Sequence, residues 1–120
     1  MEQVRQIIYF KDYFLDFFND QTEKVKEKID YVLFVITVAE RIPKKFFEQM
    51  TDAEGLYEVR VEFQGKISRI FCCFDEGKLI VLFNGFKKKS QKTPQSEIDK
   101  ALKIKDEYFK EKMKTKTKKK

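Results

Sequence analysis

Leu56-Tyr57-Glu58-Val59-Arg60-Val61-Glu62-Phe63, then Gln64-Gly65-Lys66, then Ile67-Ser68-Arg69-Ile70-Phe71-Cys72-Cys73-Phe74: here the chain adopts a period of two. Tyr57, Val59, Val61 and Phe63 share one face of a strand, and Glu58, Arg60 and Glu62 share the other. Gln64-Gly65-Lys66 signals a hairpin, and Asp75-Glu76-Gly77-Lys78 a second tight turn. Leu79 to Phe83 is nearly all apolar, as expected of a central strand covered on both faces. The pattern predicts an antiparallel meander of three strands. Charge inside a strand calls for a partner, yet Arg60 and Arg69 both occupy such positions. Pairing across the hairpin brings the two guanidiniums together near one end of the sheet. The last strand runs out into Phe86-Lys87-Lys88-Lys89-Ser90-Gln91-Lys92-Thr93-Pro94, a lysine-rich exit. Paired arginines over such an exit suit a phosphate, which they hold bidentately. The competing reading pairs Arg60 with Glu58 or Glu62 on its own face.

Outward from this stretch the period changes. Val4 to Tyr9 alternates weakly and predicts a first strand. Phe14, Leu15, Phe17 and Phe18 recur at helical spacing. Asp20 with Glu23 resembles a capping box. Val25, Ile29, Val32, Leu33 and Ile36 then form one face of a helix over about Gln21 to Ala39. Arg41-Ile42-Pro43 stops it, and Phe46, Phe47 and Met50 predict a short connecting turn or helix. Thr93 as N-cap and Pro94 at the first helical position open a final helix. Its apolar positions include Ile98, Ala101, Leu102, Tyr108 or Phe109, and Met113. The order of strand, helices, three strands and helix defines an α+β domain. The small antiparallel sheet is a three-strand meander plus the N-terminal strand, with two N-terminal helices and a C-terminal one.

The chain has 120 residues, enough for one domain. That domain is expected over residues 1–112, with a basic disordered tail over 113–120. Thirteen Phe and no Trp imply a core of phenyl rings. The apolar run Tyr31 to Ala39, broken by Thr37, is too short to cross a bilayer. The N-terminus lacks the apolar segment of a signal peptide. The adjacent Cys72 and Cys73 point to opposite faces of a strand and are poorly placed to bond each other. A reduced, cytoplasmic protein with no membrane contact is expected.

Net charge is +6, unevenly spread. From Lys87 onward 14 lysines face 5 acids, and before it 12 basic residues face 15 acids. A basic C-terminal third suggests an anionic partner, most simply nucleic acid. There is no histidine. That excludes a Ser-His-Asp triad, a Cys-His nucleophile and His-based zinc sites. No Walker A loop and no GxGxxG motif is present, and no metal or cofactor is expected.

Three segments, in order, resemble the RelE/ParE superfamily of type II toxin–antitoxin toxins, most closely its HigB-type, phage-derived branch. They are Gly55-Leu56-Tyr57-Glu58-Val59-Arg60, then Ser68-Arg69-Ile70-Phe71. The third is Leu82-Phe83-Asn84-Gly85-Phe86-Lys87-Lys88, leading through Thr93-Pro94 to Glu97-Ile98-Asp99-Lys100-Ala101. The resemblance covers about Gly55 to Ala101. It implies a RelE-like fold: an antiparallel sheet with helices on one face and a basic concave face open to mRNA. It implies metal-independent endoribonuclease activity on mRNA in the ribosome, and so inhibition of translation. It also implies a cognate antitoxin, often a helix-turn-helix protein. Carried onto this chain, Arg60 and Arg69 bind the phosphate and stabilise the transition state. Lys87, Lys88, Lys89 and Lys92 contact RNA, and one of them, Lys87 first, donates a proton. Tyr57 is a candidate for stacking on a base, against a core role beside Val59, Val61 and Phe63.

This chain departs from the pattern at two positions. Asn84 stands where relatives often carry His, and Ser68 where Tyr is common before the arginine. RNA cleavage by internal attack needs a base for the 2′-hydroxyl and an acid for the 5′-oxygen. Glu58 is a candidate base if it faces the arginines, and a lysine with a lowered pKa is the other candidate. Two other functions remain open: a ParE-like toxin that inhibits DNA gyrase without cutting nucleic acid, and a non-catalytic nucleic-acid-binding domain.

Overall fold

Alternation over residues 57–88 builds the three long strands at the centre of the fold. The computed structural model describes residues 2–88 and 93–118. In chain order the elements are β1 (Gln6–Tyr9), α1 (Tyr13–Asn19), α2 (Glu23–Val38), β2 (Phe47–Gln49), β3 (Tyr57–Phe63), β4 (Lys66–Asp75), β5 (Leu79–Lys88) and α3 (Gln95–Lys118). They form one five-stranded sheet of order β1-β5-β4-β3-β2, in the expected α+β class. The meander β3-β4-β5 is antiparallel, as expected. Its first turn is two residues, Gln64 and Gly65, both at positive φ (51° and 76°). That left-handed pair matches the twist of a tight hairpin.

Several expectations are corrected. β1 lies beside β5 and runs parallel to it, so the sheet is mixed. Of the expected turn or helix, the turn forms over residues 44–46, with the Phe46 N–H donating to the Pro43 carbonyl, and Phe47–Gln49 then forms an edge strand antiparallel to β3. Three residues carry too short a period to announce a strand. The N-cap of α2 is Thr22, whose Oγ1 accepts from the Val25 N–H at 3.3 Å; Asp20 instead closes α1. α3 begins one residue later than expected, with the Pro94 carbonyl accepting from the Glu97 and Ile98 N–H groups. Its helical bounds run to Lys118, and the expected domain limit at 112 stands as an expectation.

Helices cover both faces of the sheet, not one. Phe14 of α1 and Val25, Ile29, Val32 and Ile36 of α2 pack against Val59, Val61, Ile70, Cys72, Ile80 and Leu82. On the other side Ile98, Ala101 and Ile104 of α3 pack against Leu56, Phe71, Cys73, Val81 and Phe83. The unbroken apolar run of β5 follows from this double cover. At about 25 cal/mol per Å² of apolar surface removed from water, such layers supply the main drive to fold. Arg5 ties β1 to the C-terminal end of α2: its Nη1 donates to the Ile36 and Ala39 carbonyls and its Nη2 to Glu40. Ile36 is among the last helical carbonyls, which a helix end leaves unpaired.

Candidate functional site

Hairpin register sets Arg60 directly opposite Arg69, both on the α3 side of the sheet. Like charges on one rung repel, and two carboxylates offset the repulsion. Glu48 on β2 stands opposite Glu58 on β3, one step along the same face. Each arginine takes one of them. Arg69 Nη1 donates to Glu58 Oε1 in a buried pair, with both side chains 7% exposed or less. Arg60 Nη1 reaches Glu48 Oε2 at 3.4 Å, and Glu48 is largely exposed. The result is a two-by-two array of charge at one end of the sheet.

The array lines an open cleft of about 350 Å³. Its floor is β3 and β4, one wall is β2 with the loop through Thr51 and Asp52, and the other is the start of α3 at Thr93, Gln95 and Ile98. The N-terminus of a 24-residue helix brings partial positive charge to that wall. Arg60 Nε and Arg69 Nε are buried and have no hydrogen-bond partner among the described residues. Buried N–H donors left open in this way cost about 1–3 kcal/mol each, and an anionic oxygen would satisfy them. The cleft therefore presents two guanidiniums and a helix N-terminus beside a carboxylate, a set able to hold a phosphodiester and to accept a proton next to it.

The other expected site residues fall in three places. Glu58 faces the arginine pair, as a candidate base requires. Lys87 does not: it pairs across from Ser68, on the face that α1 and α2 cover, and lines a different hollow. Adjacent strand residues point to opposite faces, and Arg69 lies across from Phe86, so Lys87 is turned away. Tyr57 is also on the α1–α2 side, stacked on Phe47 at 5.3 Å and edge-on to Phe74 at 5.1 Å. Its ring packs with core rings on the α1–α2 face, away from the arginine cleft. Lys88 ends β5, and Lys89 and Lys92 lie outside the described residues.

A β-bulge in the middle of β5 adds one residue between the Cys72↔Leu82 and Ile70↔Gly85 rungs. Its effect is that Phe83 and Asn84, though adjacent, both address α3. Asn84 is 2% exposed, and its Nδ2 approaches Glu97 Oε1 at 3.4 Å. Gly85 then meets α1, where a Cβ would lie 2.6 Å from Phe17. The expected difference at position 84 is thus a buried amide joined to α3. Sequence reading missed Glu48 as the partner of Arg60; the only signal was a lone acid between Phe47 and Met50.

Burial holds the Cys72 thiol well above its usual pKa and raises that of Cys73 to about 11. Such thiols are poor nucleophiles at neutral pH, so cysteine chemistry is set aside. No described helix is long and apolar enough to cross a membrane.

Fold and site together describe a small mixed α+β protein, among the described residues a five-stranded sheet with three helices and an arginine-bearing cleft. The family model described as Phage derived protein Gp49-like (DUF891) matches residues 16–106. The chain belongs to this family, a family of RelE-like toxins. No curated protein matches the chain.

Proposed function

We propose that the protein is a HigB-like toxin of a type II toxin–antitoxin pair, acting as an endoribonuclease that cuts mRNA on the ribosome and so stops translation. The observation that carries this reading is the Arg60–Arg69 rung, with two buried guanidinium N–H donors open to a cleft that also holds Glu58. In the reaction the 2′-oxygen attacks the adjacent phosphorus and the bond to the 5′-oxygen breaks. A cyclic phosphate and a free 5′-hydroxyl result. Glu58 takes the 2′-hydroxyl proton, and a water molecule in the open cleft gives the departing 5′-oxygen its proton. Arg69, fixed by its buried ion pair, and Arg60, held only by an exposed one, stabilise the extra charge on the phosphorane. No cofactor enters this scheme.

Lys87 has no part in the chemistry here, because it stands on the other face. Lys88, Lys89 and Lys92 remain RNA contacts on the strength of their position in the sequence. The partners in this reading are the message, the ribosome and a cognate antitoxin, for which a helix-turn-helix protein is the expectation, and the setting is the cytoplasm.

Cell-free translation of a defined mRNA followed by primer extension tests the proposal. The wild-type protein should give discrete cuts that need ribosomes. Arg60→Ala should cut about 100-fold more slowly or worse with stability unchanged within about 0.5 kcal/mol. Arg60 is the better target, because removing Arg69 leaves Glu58 buried and unfolds the question into one of stability. Intact message at full wild-type concentration would sink the nuclease and turn attention to DNA supercoiling.

A further inference from the structure

A second cationic hollow lies one rung from the arginines, on the opposite face of the sheet. Val61, Ser68 and Lys87 stand across from one another there. The first turn of α2 (Thr22, Val25), the hairpin tip (Gln64, Lys66) and the rung residues Ser68 and Lys87 enclose about 110 Å³. At about 30 Å³ per water, that is room for roughly three or four waters, the size of a phosphate group.

Three independent features make it an anion site. Ser68 is 2% exposed, yet its hydroxyl lines the hollow and has no hydrogen-bond partner among the described residues. Its oxygen is not one of the buried side-chain atoms left without a partner, so it faces water in the hollow, and a bound anion would replace that water. Lys66 and Lys87 are exposed and make no ion pair among the described residues. Finally, the N-terminus of the 16-residue α2 opens here. Thr22 caps one of its N–H groups, and the helix end carries partial positive charge. Glu23, the acid of that first turn, is 87% exposed and leans toward Lys26 at 3.5 Å. Among the described residues, no carboxylate lines the hollow.

We propose that this hollow is a second phosphate site, which takes a backbone phosphate of the same single-stranded RNA whose scissile phosphate sits at Arg60 and Arg69. The strand then passes around the β3–β4 hairpin tip from one face of the sheet to the other. The assignment deepens the RNA-cleavage reading and rests on it for the identity of the polyanion. It also gives Lys87 a role that its distance from the arginine cleft otherwise denies.

The test is amide NMR of the full chain, titrated separately with inorganic phosphate and with a fully 2′-O-methylated oligoribonucleotide, which cannot undergo internal attack. The amides of Glu23, Lys24, Ser68 and Lys87 should shift with both probes, and Ser68→Ala should remove the phosphate response while leaving the spectrum folded. Lys66→Gln with Lys87→Gln should lower the slope of log affinity against log salt by about 0.7, the value for one single-strand phosphate contact. Shifts confined to the surroundings of Arg60 and Arg69 would overturn the second site and leave the nuclease standing. Response to phosphate alone, with none to the oligonucleotide, would overturn the RNA assignment. Shifts at the hollow without any at the arginine pair would keep the site and remove the nuclease reading.

Discussion

Arg69 and Arg60 share a rung but hold their charge in different surroundings, and substitutions should separate them. The Arg69–Glu58 pair is buried on both sides. Breaking it leaves one charge without its main compensation, so Glu58→Ala should destabilise the fold by about 3–5 kcal/mol in urea unfolding. Glu58→Met with Arg69→Met should recover most of that loss, because removing both charges also removes their desolvation cost. If the single and double variants were equally unstable, the pair would not be the reason. The Arg60–Glu48 pair is exposed and worth about 0–1 kcal/mol. Glu48→Ala should therefore leave stability almost unchanged, and by freeing Arg60 it should tighten binding of a non-cleavable RNA. Weaker binding in that variant would show that Glu48 orients Arg60 instead of competing for it. The arginine pair was legible because two strands and one turn sufficed to place it. Glu48 was not, because its strand has only three residues and no period of its own.

The elements around the site are held by close contacts that single atoms can test. Gly85 sits where α1 crosses β5, and an added Cβ would meet the Phe17 ring at 2.6 Å. Gly85→Ala should cost about 1–3 kcal/mol by overpacking, and Phe17→Leu should relieve part of it. Melting curves of the two single variants and the double variant check this; strict additivity would deny the contact. The bulge beside Gly85 also explains why parity along the chain failed as a guide there. One extra residue in β5 turns Phe83 and Asn84 to the same side, which a period of two cannot anticipate. For α2 the apolar face was read correctly, but its cap was misplaced by two residues. Asp20 and Thr22 are both good caps, and only the turn that closes α1 decides between them.

At the scale of the whole molecule, α3 is pinned along its length to the rest of the protein. Lys11 pairs with Glu107 at 3.0 Å, and Lys105 donates to the Glu54 carbonyl. Near its end Tyr108 and Lys112 both reach Asp75 at the second hairpin turn, at 2.7 and 2.8 Å. Burial, and then the hydrogen bond to Asp75, push the Tyr108 phenol up to about 12 from a usual value of 10. The folded state keeps that proton more tightly than the unfolded one. Its contribution to stability is complete below pH 10 and is lost as pH rises through about 12. An ultraviolet titration should show Tyr108 ionising late, with Tyr13 also raised by its hydrogen bond to Glu107, and Tyr108→Phe should remove the step near 12. A step near 12 that survives in Tyr108→Phe would refute the clamp.

Local patterns carry information only over the span of one turn. The change of period at Leu56, the Gln64-Gly65 turn and the apolar run of β5 each follow from neighbouring residues, and so the meander and the facing arginines were legible in the chain. The α+β class followed from the order of those elements. Long-range choices were not legible. The parallel placement of β1, the second helical layer formed by α3 and the edge strand β2 depend on which apolar faces find one another across many residues. The same holds for Lys87. It follows Phe86 in a run that reads as one basic cluster, but strand pairing turns it through the sheet from Arg69. Side-chain direction in a strand reverses at every residue, so residues that form one cluster in sequence are divided between two faces once the register is set.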